Sequence, residues 1–418
     1  MEEAVMHLAL VIDDYLPHST RVAAKMFHEL ALEYIDLGHQ VTIITPHFDK
    51  EAPCLIKDEI DGVNVWYFFS GPIKDVGKIT RAINETLLSY RAWRVISNQV
   101  KEDTFDGVVY YSPSIFFGSL VGKIKKRCNC GSYLVLRDFF PQWAIDSGLI
   151  KSGSVIERYF RYFEASSYKH ADMIGVMSQK NLDIFNDYNK GQFPVSILRN
   201  WASLTPYVAS PQVYNLREKL GLSDQVIYFY GGNIGHAQDM ANLIRLAKGM
   251  RQDSKAHFLF VGQGDEVELI QDLASNWELN NFSYLPSVNQ TEFKEILAQV
   301  DVGLFSLSAK HTAHNFPGKL LGYMVQSLPI LGSVNQGNDL MDLVNVSGAG
   351  FITVNGDDEQ FLANACQLQK NVELRREMGS AGYRLLEHEF AVSSIASTIL
   401  SSLEKVNENS RQAVCNQS

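Results

Sequence analysis

Short apolar runs alternate with amphipathic stretches along the first half of the chain. The run Leu8–Ile12 is followed by a polar loop and by a helical pattern at Thr20–Leu37, which Gly38 ends. A continuous apolar run of this length is typical of a strand buried on both faces of a parallel sheet. The same pattern predicts further strands and helices at Val41–Thr45, Gly62–Phe69, Ile79–Val100, Val108–Tyr111, Phe116–Lys126 and Tyr133–Leu136. This alternation predicts a doubly wound α/β domain.

The alternation restarts after a polar stretch, Ala202–Gln212, which has the composition of an interdomain linker. The second set of predicted strands and helices is Val226–Tyr230, Asp239–Gly249, Ala256–Val261, Glu266–Trp277, Phe282–Leu285, Gln290–Gln299, Val302–Phe305, Gly318–Gln326 and Pro329–Gly332. We therefore expect an α/β protein with two Rossmann-like doubly wound domains, residues 1–200 and 213–390, facing each other across a cleft. Residues 391–418 hold a last helix, Val392–Val406, and a polar tail.

Composition narrows the class of protein. The 418 residues are 46% hydrophobic, enough for full cores, and the net charge of −10 excludes a generally basic nucleic-acid coat. The charge is uneven, because residues 1–200 hold 22 basic and 24 acidic side chains whereas residues 201–418 hold 15 and 23. The five cysteines are too few for a disulfide framework, and neither a signal-peptide pattern nor a membrane-spanning apolar run is evident. We expect a cytosolic protein.

Three turns in the second half combine glycine with a strand end or a helix start. They are Tyr230–His236, Val261–Asp265 and Pro317–Leu320. Glycine lets backbone amides approach a phosphate, and exposed amides at a helix N-terminus favour an anion. Lys319 adds a positive charge to the third turn. Glycine in tight turns and one surface lysine are also ordinary structural features, but three such turns on one sheet edge favour an anion site.

Two features of the first half suggest chemistry. The loop Asp13–Arg21 has no glycine, which argues against a dinucleotide site, yet it leads into a helix N-terminus. Ser19 or Thr20 either caps that helix alone or also contacts a ligand. Arg137 and Asp138 follow a predicted strand, and a carboxylate there can orient or deprotonate a hydroxyl. A loop salt bridge or a helix cap is the alternative role for Asp138.

Basic and aromatic residues cluster in the same half. From Lys74 to Lys101 six basic side chains accompany two acidic ones, and apolar residues recur beside them at helical spacing. Basic clusters also occur at Lys123–Arg127 and, mixed with aromatic residues, in Val155–Tyr168. A basic amphipathic helix suits an anionic bilayer surface, whereas core-facing helices with solvated charges are the alternative. We expect peripheral association with a membrane.

Several segments carry a family resemblance. Five of them are Tyr230–His236, Phe260–Asp265, Tyr284–Val288, Val300–Ser306 and Phe316–Gly332. Together they resemble the GT-B glycosyltransferases, in particular the retaining glycosyltransferases of family four, and the resemblance covers nearly the whole chain. The segments similar to bacterial O-antigen and capsule transferases are Asp13–His28, Arg137–Pro141 and Phe316–Lys319. Among these enzymes the chain most resembles N-acetyl-L-fucosamine transferases.

The resemblance implies a transferase that moves N-acetyl-L-fucosamine, or a related deoxy-aminosugar, from a UDP-sugar to polyprenyl-pyrophosphate-linked GlcNAc. It implies that residues 1–200 face the acceptor and an anionic surface at the inner face of the plasma membrane. Residues 213–390 would bind the nucleotide sugar, and the last helix would return to the first domain. No metal or other cofactor is expected, because helix N-termini and lysine can stabilise a diphosphate leaving group. The net charge of −10 makes nucleic acid an unexpected partner.

Site residues follow from the resemblance and from the turns. The expected catalytic residues are Asp138, Lys319 and His314. The expected donor-binding residues are Gly232, Asn233, Ile234, Gly235, Gln238, Gly262, Gly264, Pro286, Asn315, Phe316, Pro317, Gly318 and Leu320. The expected acceptor-binding residues are His18, Ser19, Thr20, Arg21, Arg81 and Arg137. No metal-ligating residue is expected.

The sequence departs from the family pattern at four positions. Asn233 and Gln238 stand where family members usually carry an Arg and a Lys that hold the donor pyrophosphate. His314 and Gly322 stand where two glutamates are usual, the second of which holds the ribose. The charge of the leaving group is then left to the backbone amides of the third turn and to Lys319.

These departures keep other classes of protein open. A degenerate, non-transferring UDP-sugar-binding protein fits the replaced donor-site side chains, and calorimetry with UDP would discriminate it. A UDP-sugar epimerase on the same fold expects carboxylates in the donor pocket, which the missing glutamates argue against. A nicotinamide enzyme is disfavoured by the glycine-free first loop.

Overall fold

Two compact units make up the chain. The computed structural model describes residues 5–17, 19, 21–73, 76–112, 114–208, 215–309 and 317–415, without the side chains of residues 78, 410, 411 and 413–415. Unit 1 is Met1–Asn200 together with Val392–Ser418, and unit 2 is Trp201–Ala391. Unit 2 is therefore contiguous in sequence, whereas unit 1 is built from two separate segments.

Unit 1 contains one eight-stranded sheet. Its strands are β1 (His7–Val11), β2 (Gln40–His47), β3 (Leu55–Ile60), β4 (Val63–Phe69), β5 (Gly107–Ser112), β6 (Gly131–Leu136), β7 (Met173–Val176) and β8 (Val195–Ile197). Their order is β3-β4-β2-β1-β5-β6-β7-β8, and only the β3–β4 pair is antiparallel. Strands β5 and β6 are buried along almost their whole length, because helices cover both faces of the sheet.

The helices of unit 1 correct one prediction. They are α1 (Val22–Asp36), α2 (Lys78–Thr86), α3 (Leu88–Ile96), α4 (Gly118–Cys128), α5 (Gln142–Asp146), α6 (Val155–Lys169) and α7 (Gln179–Asn189), with a 3₁₀ turn at Ile115–Phe117. The single helix predicted at Ile79–Val100 is wrong, since α2 and α3 meet at Leu87. Because of this break, α3 buries Leu88, Ala92 and Ile96 while α2 keeps Ile79 exposed.

Unit 2 contains a six-stranded parallel sheet. Its strands are β9 (Val226–Asn233), β10 (Ala256–Gln263), β11 (Phe282–Leu285), β12 (Val302–Ser306), β13 (Ile330–Val334) and β14 (Gly350–Val354), in the order β11-β10-β9-β12-β13-β14. Its helices are α8 (Leu216–Leu220), α9 (Met240–Gly249), α10 (Val267–Asn276), α11 (Gln290–Leu297), α12 (Gly318–Val325), α13 (Asp339–Ser347), α14 (Asp358–Lys370) and α15 (Val372–Glu389), with a 3₁₀ turn at His236–Gln238. The two α/β units with parallel sheets confirm the predicted fold class.

The stretch predicted as a linker begins unit 2 instead. Trp201, just before it, is fully buried, and the Ala202 amide donates to the Phe390 carbonyl at 3.0 Å. The Tyr207 hydroxyl donates to Glu295 Oε1 at 2.6 Å. The part of this stretch that the structure describes, up to residue 208, is therefore held to unit 2 by specific bonds.

The last helix, α16 (Val392–Cys415), packs against α1 and β6 of unit 1. The side-chain amide of Asn407 accepts from the Gly131 amide at 2.8 Å and donates to the Asp106 carbonyl at 2.8 Å. Leu403 lies so close to Gly107 that a Cβ there would stand 2.7 Å from it. Helix α16 is thus a packed part of unit 1. None of the described helices is both long and apolar enough to cross a bilayer.

Candidate functional site

Two turns at the carboxyl edge of the unit 2 sheet pack directly on each other. Strands β9 and β10 run in parallel register to their ends, where Gly232 pairs with Gly262 and Asn233 with Gln263. The Ile234 amide then donates to the Gln263 carbonyl at 2.9 Å. These bonds hold the two predicted glycine turns as one backbone surface.

Two glycines in this surface are sterically required. A Cβ on Gly262 would stand 1.9 Å from the Gly232 carbonyl oxygen, and one on Gly264 would stand 2.2 Å from the Ile234 carbonyl oxygen. Gly264 also has φ +155°, which disfavours other residues. The primary task of these glycines is therefore the close approach of the two turns, which places several backbone amides side by side.

Lys319 lies in the first turn of α12, next to this surface. Its Nζ is 3.6 Å from the centroid of the Tyr230 ring, and a Cβ on Gly232 would stand 3.8 Å from it. The nitrogen is buried and finds no hydrogen-bond partner among the residues that the structure describes. Burial lowers the pKa of Lys319 to about 7, because it disfavours the charged ammonium.

The remaining side chains of the first turn bond within the turn or to its neighbour. The Asn233 amide donates to Gln238 Oε1 at 3.0 Å, so the two positions expected to hold the donor pyrophosphate satisfy each other. His236 Nδ1 lies 2.6 Å from Glu266, and its Nε2 lies 3.2 Å from Asp265. A Cβ at Gly235 would stand 2.7 Å from the Asp265 carboxylate, so a larger residue there would require that side chain to shift.

Of the other predicted donor residues, some lie outside the described residues and some lie at the start of α12. His314, Asn315 and Phe316 lie outside the described residues. Pro317 directly precedes α12 in an extended conformation, and Gly318 and Leu320 lie in the first turn of that helix, with Leu320 buried in the core.

Two further predicted positions are nearby in the fold. Pro286 is exposed after β11, close to Tyr284, whose hydroxyl donates to the Gly262 carbonyl at 3.0 Å. Gly322 faces Leu297, so a side chain at that position would contact the core.

The carboxyl edge of the unit 1 sheet carries a half-buried carboxylate. Asp138 follows β6, and burial raises its pKa, as does the nearby charge of Asp13, while Arg137 lowers it. Burial raises the pKa of the neighbouring Tyr111 hydroxyl. The charge of Arg137 lowers this pKa, whereas the charges of Asp138 and Asp13 raise it. These four side chains therefore lie at one end of strands β1, β5 and β6.

Arg137 itself is engaged by the backbone. Its buried guanidinium donates to the carbonyls of Leu136 at 3.2 Å, Gly175 at 3.3 Å and Arg199 at 3.0 Å. Burial lowers the pKa of Arg137 to about 10. In this arrangement Arg137 links β6 to β7 and to the end of the first segment of unit 1, which fixes the start of the Asp138 loop.

The other predicted acceptor residues form local bonds. The Ser19 hydroxyl donates to Asp14 at 2.6 Å and accepts from the Arg21 amide at 3.2 Å. Arg21 occupies the cap position of α1 without a side-chain bond, so the prediction of a Ser19 cap is wrong. Arg81 pairs with Glu85 at 2.9 Å, and His18 and Thr20 lie outside the described residues.

Three important residues were not predicted as site residues. Tyr230 supplies the ring under Lys319, and Glu266 accepts a hydrogen bond from the Met240 amide at 3.2 Å. The charge of Asp13 raises the pKa of Asp138. Tyr230 ends a predicted strand and Asp13 begins a predicted loop, so their position at the sheet edges was the available signal. Among the described residues no group of three or more His, Cys, Asp or Glu side chains is placed to hold a metal ion.

Comparisons with known proteins match both units. A family model described as Glycosyl transferases group 1 matches residues 212–385. A Pseudomonas aeruginosa protein named as a glycosyltransferase, WbjE, is 23% identical over 222 residues, 52% of this chain and 54% of WbjE. An Escherichia coli K12 protein named as a colanic acid biosynthesis glycosyl transferase, WcaI, is 25% identical over 313 residues, 70% of this chain and 74% of WcaI. The match thus spans about half the length of WbjE.

Solved structures share the fold. Sucrose-phosphate synthase of Thermosynechococcus elongatus has a TM-score of 0.72 at 13% identity, over 96% of this chain and 99% of its own. HepE of Anabaena, in complex with UDP and glucose, has a TM-score of 0.65 at 14% identity, over 96% and 100%. These likenesses confirm the GT-B fold. The group 1 domain and the glycosyltransferase-named relatives support a transferase enzyme, as predicted.

Proposed function

We propose that the protein is a retaining glycosyltransferase that moves a sugar from a UDP-sugar to a lipid-diphosphate-linked acceptor in bacterial polysaccharide biosynthesis. The observation that supports it most directly is the candidate anion site of unit 2, where the backbone turns at Gly232–Gly235 and Gly262–Gly264 meet the start of α12 and the buried Lys319. The Lys319 nitrogen has no hydrogen-bond partner among the described residues. Helix N-termini and unsatisfied amides bind phosphate groups. The name of WcaI, a colanic acid biosynthesis glycosyl transferase, supports a role in making polysaccharide, and the name of WbjE supports glycosyl transfer.

The chemistry we propose needs no metal. When the glycosidic bond to UDP breaks, negative charge develops on the leaving diphosphate. The amides at Gly318 and Lys319 and the Lys319 nitrogen would stabilise that charge. Asp138 of unit 1 would orient the acceptor hydroxyl, which attacks the anomeric carbon on the face from which UDP departs, and the leaving phosphate takes the proton.

For the substrates we propose N-acetyl-L-fucosamine, or a related deoxy-aminosugar, as the donor sugar and polyprenyl-pyrophosphate-linked GlcNAc as the acceptor. This proposal rests on the family resemblance of the sequence. The test is a panel of UDP-sugars incubated with a short polyprenyl-pyrophosphate-GlcNAc, with products weighed by mass spectrometry. A product whose mass increases by one deoxy-aminosugar residue supports the assignment. A different hexose increment corrects the donor, and no increment with any sugar contradicts the transferase.

The second candidate is a UDP-sugar-binding protein that transfers nothing, or an epimerase on this fold. The Asn233–Gln238 hydrogen bond favours it, because these side chains are already satisfied by each other. The UDP-sugar panel together with calorimetry discriminates the first possibility, since a protein that only binds UDP-sugars binds UDP but adds no sugar to the acceptor. Absence of UDP binding would instead indicate a degenerate protein that has lost its donor site. Incubation with a UDP-sugar alone discriminates the epimerase, because only that enzyme yields an isomer without an acceptor.

We also propose that the protein acts at the cytoplasmic face of the plasma membrane as a peripheral protein. Unit 1 exposes large apolar side chains on neighbouring helices: Ile79 and Ile83 on α2, Trp143 on α5, and Val155, Ile156 and Tyr162 on α6. Thr86 of α2 hydrogen-bonds Tyr159 of α6, and Phe160 of α6 packs on Phe140 at 4.7 Å, with Trp143 beside it. This apolar patch, with exposed Arg158, suits the surface of an anionic bilayer.

Flotation with anionic vesicles tests the membrane proposal. We expect Ile79→Asp with Ile83→Asp to release the protein from phosphatidylglycerol vesicles at low salt, because apolar insertion is lost. Val346→Asp is the matched control, since Val346 is an equally exposed apolar residue of unit 2. Equal flotation of the α2 variant and the unaltered protein would contradict the assignment of this patch.

A further inference from the structure

The amine of Lys319 has an unusual environment for a charged group. An ammonium carries three donors, and a buried charge without a partner is costly. Among the described residues Nζ finds no hydrogen-bond partner, while it lies 3.6 Å from the centroid of the Tyr230 ring. A Cβ built on Gly232 would stand 3.8 Å from it. A ring face stabilises a cation by a small amount compared with a full counterion.

The charged groups near this edge are engaged elsewhere. Asp265 and Glu266, on the turn after β10, both pair with His236 on the turn after β9. Within α12 and β9, the titratable neighbours are Tyr230 and Tyr323, whose pKa values burial raises, so both stay neutral. Among the described groups none compensates the Lys319 charge, and burial alone lowers its pKa. Lys310, His311 and His314 lie outside the described residues.

We propose that donor binding is coupled to proton uptake: above neutral pH Lys319 is largely a neutral amine in the free protein and becomes an ammonium when the diphosphate of the nucleotide sugar binds. This inference rests on the proposed UDP-sugar function. The lone pair of Nζ accepts one proton that the solvent buffer releases, and the N–H bonds of the resulting ammonium point to phosphate oxygens. Above neutral pH the charge is then present only while an anion is bound.

Such coupling has a defined direction with pH. Below the pKa of about 7 the free amine is already protonated, and binding takes up no proton. Above it, a proton must be acquired on binding, so affinity falls as pH rises. With that pKa, the protonated fraction falls about fivefold between pH 7 and pH 8, and the apparent affinity falls by the same factor.

Calorimetry with UDP tests the inference. At pH 8.0 the free nucleotide is fully ionised, and titrations in buffers of different ionisation enthalpy give the number of protons taken up. We expect about 0.9 of a proton per UDP for the unaltered protein, from the linkage of binding to the lysine pKa. For Lys319→Arg we expect none, because a guanidinium stays protonated.

One histidine substitution serves as the control. His311→Gln leaves both Lys319 and His314 in place, so proton uptake by this variant must persist at the unaltered value. Uptake that disappears here, or that is unchanged in Lys319→Arg, overturns the inference. UDP binding without any uptake in the unaltered protein also overturns it, while leaving the donor site intact. Absence of UDP binding contradicts the proposed function itself.

A second measurement does not depend on the Arg variant. In protein labelled at lysine Cε with carbon-13, one resonance should titrate near pH 7 in the free protein. UDP should remove that titration, because the bound diphosphate holds the amine protonated. If every lysine resonance titrates near its ordinary value of about 10.4, the inference fails.

Discussion

The carboxyl edges of the two sheets are built from different chemical groups. In unit 2 the edge is mostly backbone, shaped by Gly262 and Gly264, and its one cation lacks a counterion among the described groups. In unit 1 the edge is made of side chains, where Arg137 is bonded to three carbonyls and Asp138 lies near Asp13. An edge of amides with an amine that lacks a described counterion suits an anion, whereas half-buried carboxylates suit hydroxyl groups. The comparison supports donor and acceptor roles on different sheets.

The largest effect should come from the contact between the two turns. Gly264→Ala forces a Cβ against the Ile234 carbonyl and strains the backbone, and we expect a loss of about 3–5 kcal/mol in the free energy of unfolding. Gly337→Ala is the matched control, since Gly337 has φ +76° but open space around it. Its expected loss is about 1 kcal/mol. Urea unfolding measures both, and equal losses would show that the close approach matters little.

The next effect concerns the unmatched cation. Lys319→Met keeps the stem that covers Tyr230 but removes the charge, so we expect turnover to fall about 10²–10³-fold, as when one stabilising donor is lost. The fold should remain, because a neutral side chain fits the buried site at least as well. Lys294→Met, on the exposed face of α11, should leave turnover unchanged. Steady-state assays of both variants decide whether unit 2 depends on this single charge.

Asp138→Asn should separate function from stability in unit 1. We expect turnover at saturating substrates to fall at least about tenfold, because the amide cannot take the role of the carboxylate. Unchanged turnover would contradict the proposed role.

The same substitution should raise the melting temperature at pH 7. The raised pKa of Asp138 means that the folded protein binds its proton more tightly than the unfolded chain, so this group costs stability above that pKa. The gain should vanish below about pH 4, where the carboxyl is protonated in both states. Asp146→Asn, at an exposed site on α5, should show neither change.

The smallest effect is expected at the first turn. Asn233→Ala breaks the bond to Gln238 but removes no charge, and we expect UDP affinity to change no more than about threefold. Isothermal titration measures it. A loss of tenfold or more would mean that Asn233 contacts the nucleotide directly, and the contrast between a backbone edge and a side-chain edge would weaken.

The strands of both sheets could largely be predicted because parallel strands buried on both faces are continuous apolar runs. Strand β3 was missed because Lys57, Asp58 and Glu59 are exposed on an edge. Strands β7, β8 and β14 were also missed, and β7 and β8 are only four and three residues long. The position of the glycine turns at a sheet edge and of Lys319 at a helix start could be predicted from glycine, proline and lysine spacing. The state of Lys319 could not, because its burial depends on Tyr230, nearly ninety residues away in sequence, and neither could the carbonyl partners of Arg137.

The discontinuity of unit 1 has a consequence for biosynthesis. Unit 2 is one uninterrupted segment, so it can fold on the ribosome as soon as residue 391 has emerged. The first segment of unit 1 precedes unit 2 in the chain but lacks α16, whose Asn407 closes bonds to Gly131 and Asp106, until residues beyond unit 2 have been made. The sheet of unit 1 must therefore wait for a helix that is made after the whole of unit 2. A chain released early, before Asn407, would present an unprotected apolar surface on β6 and α1 to chaperones and proteases.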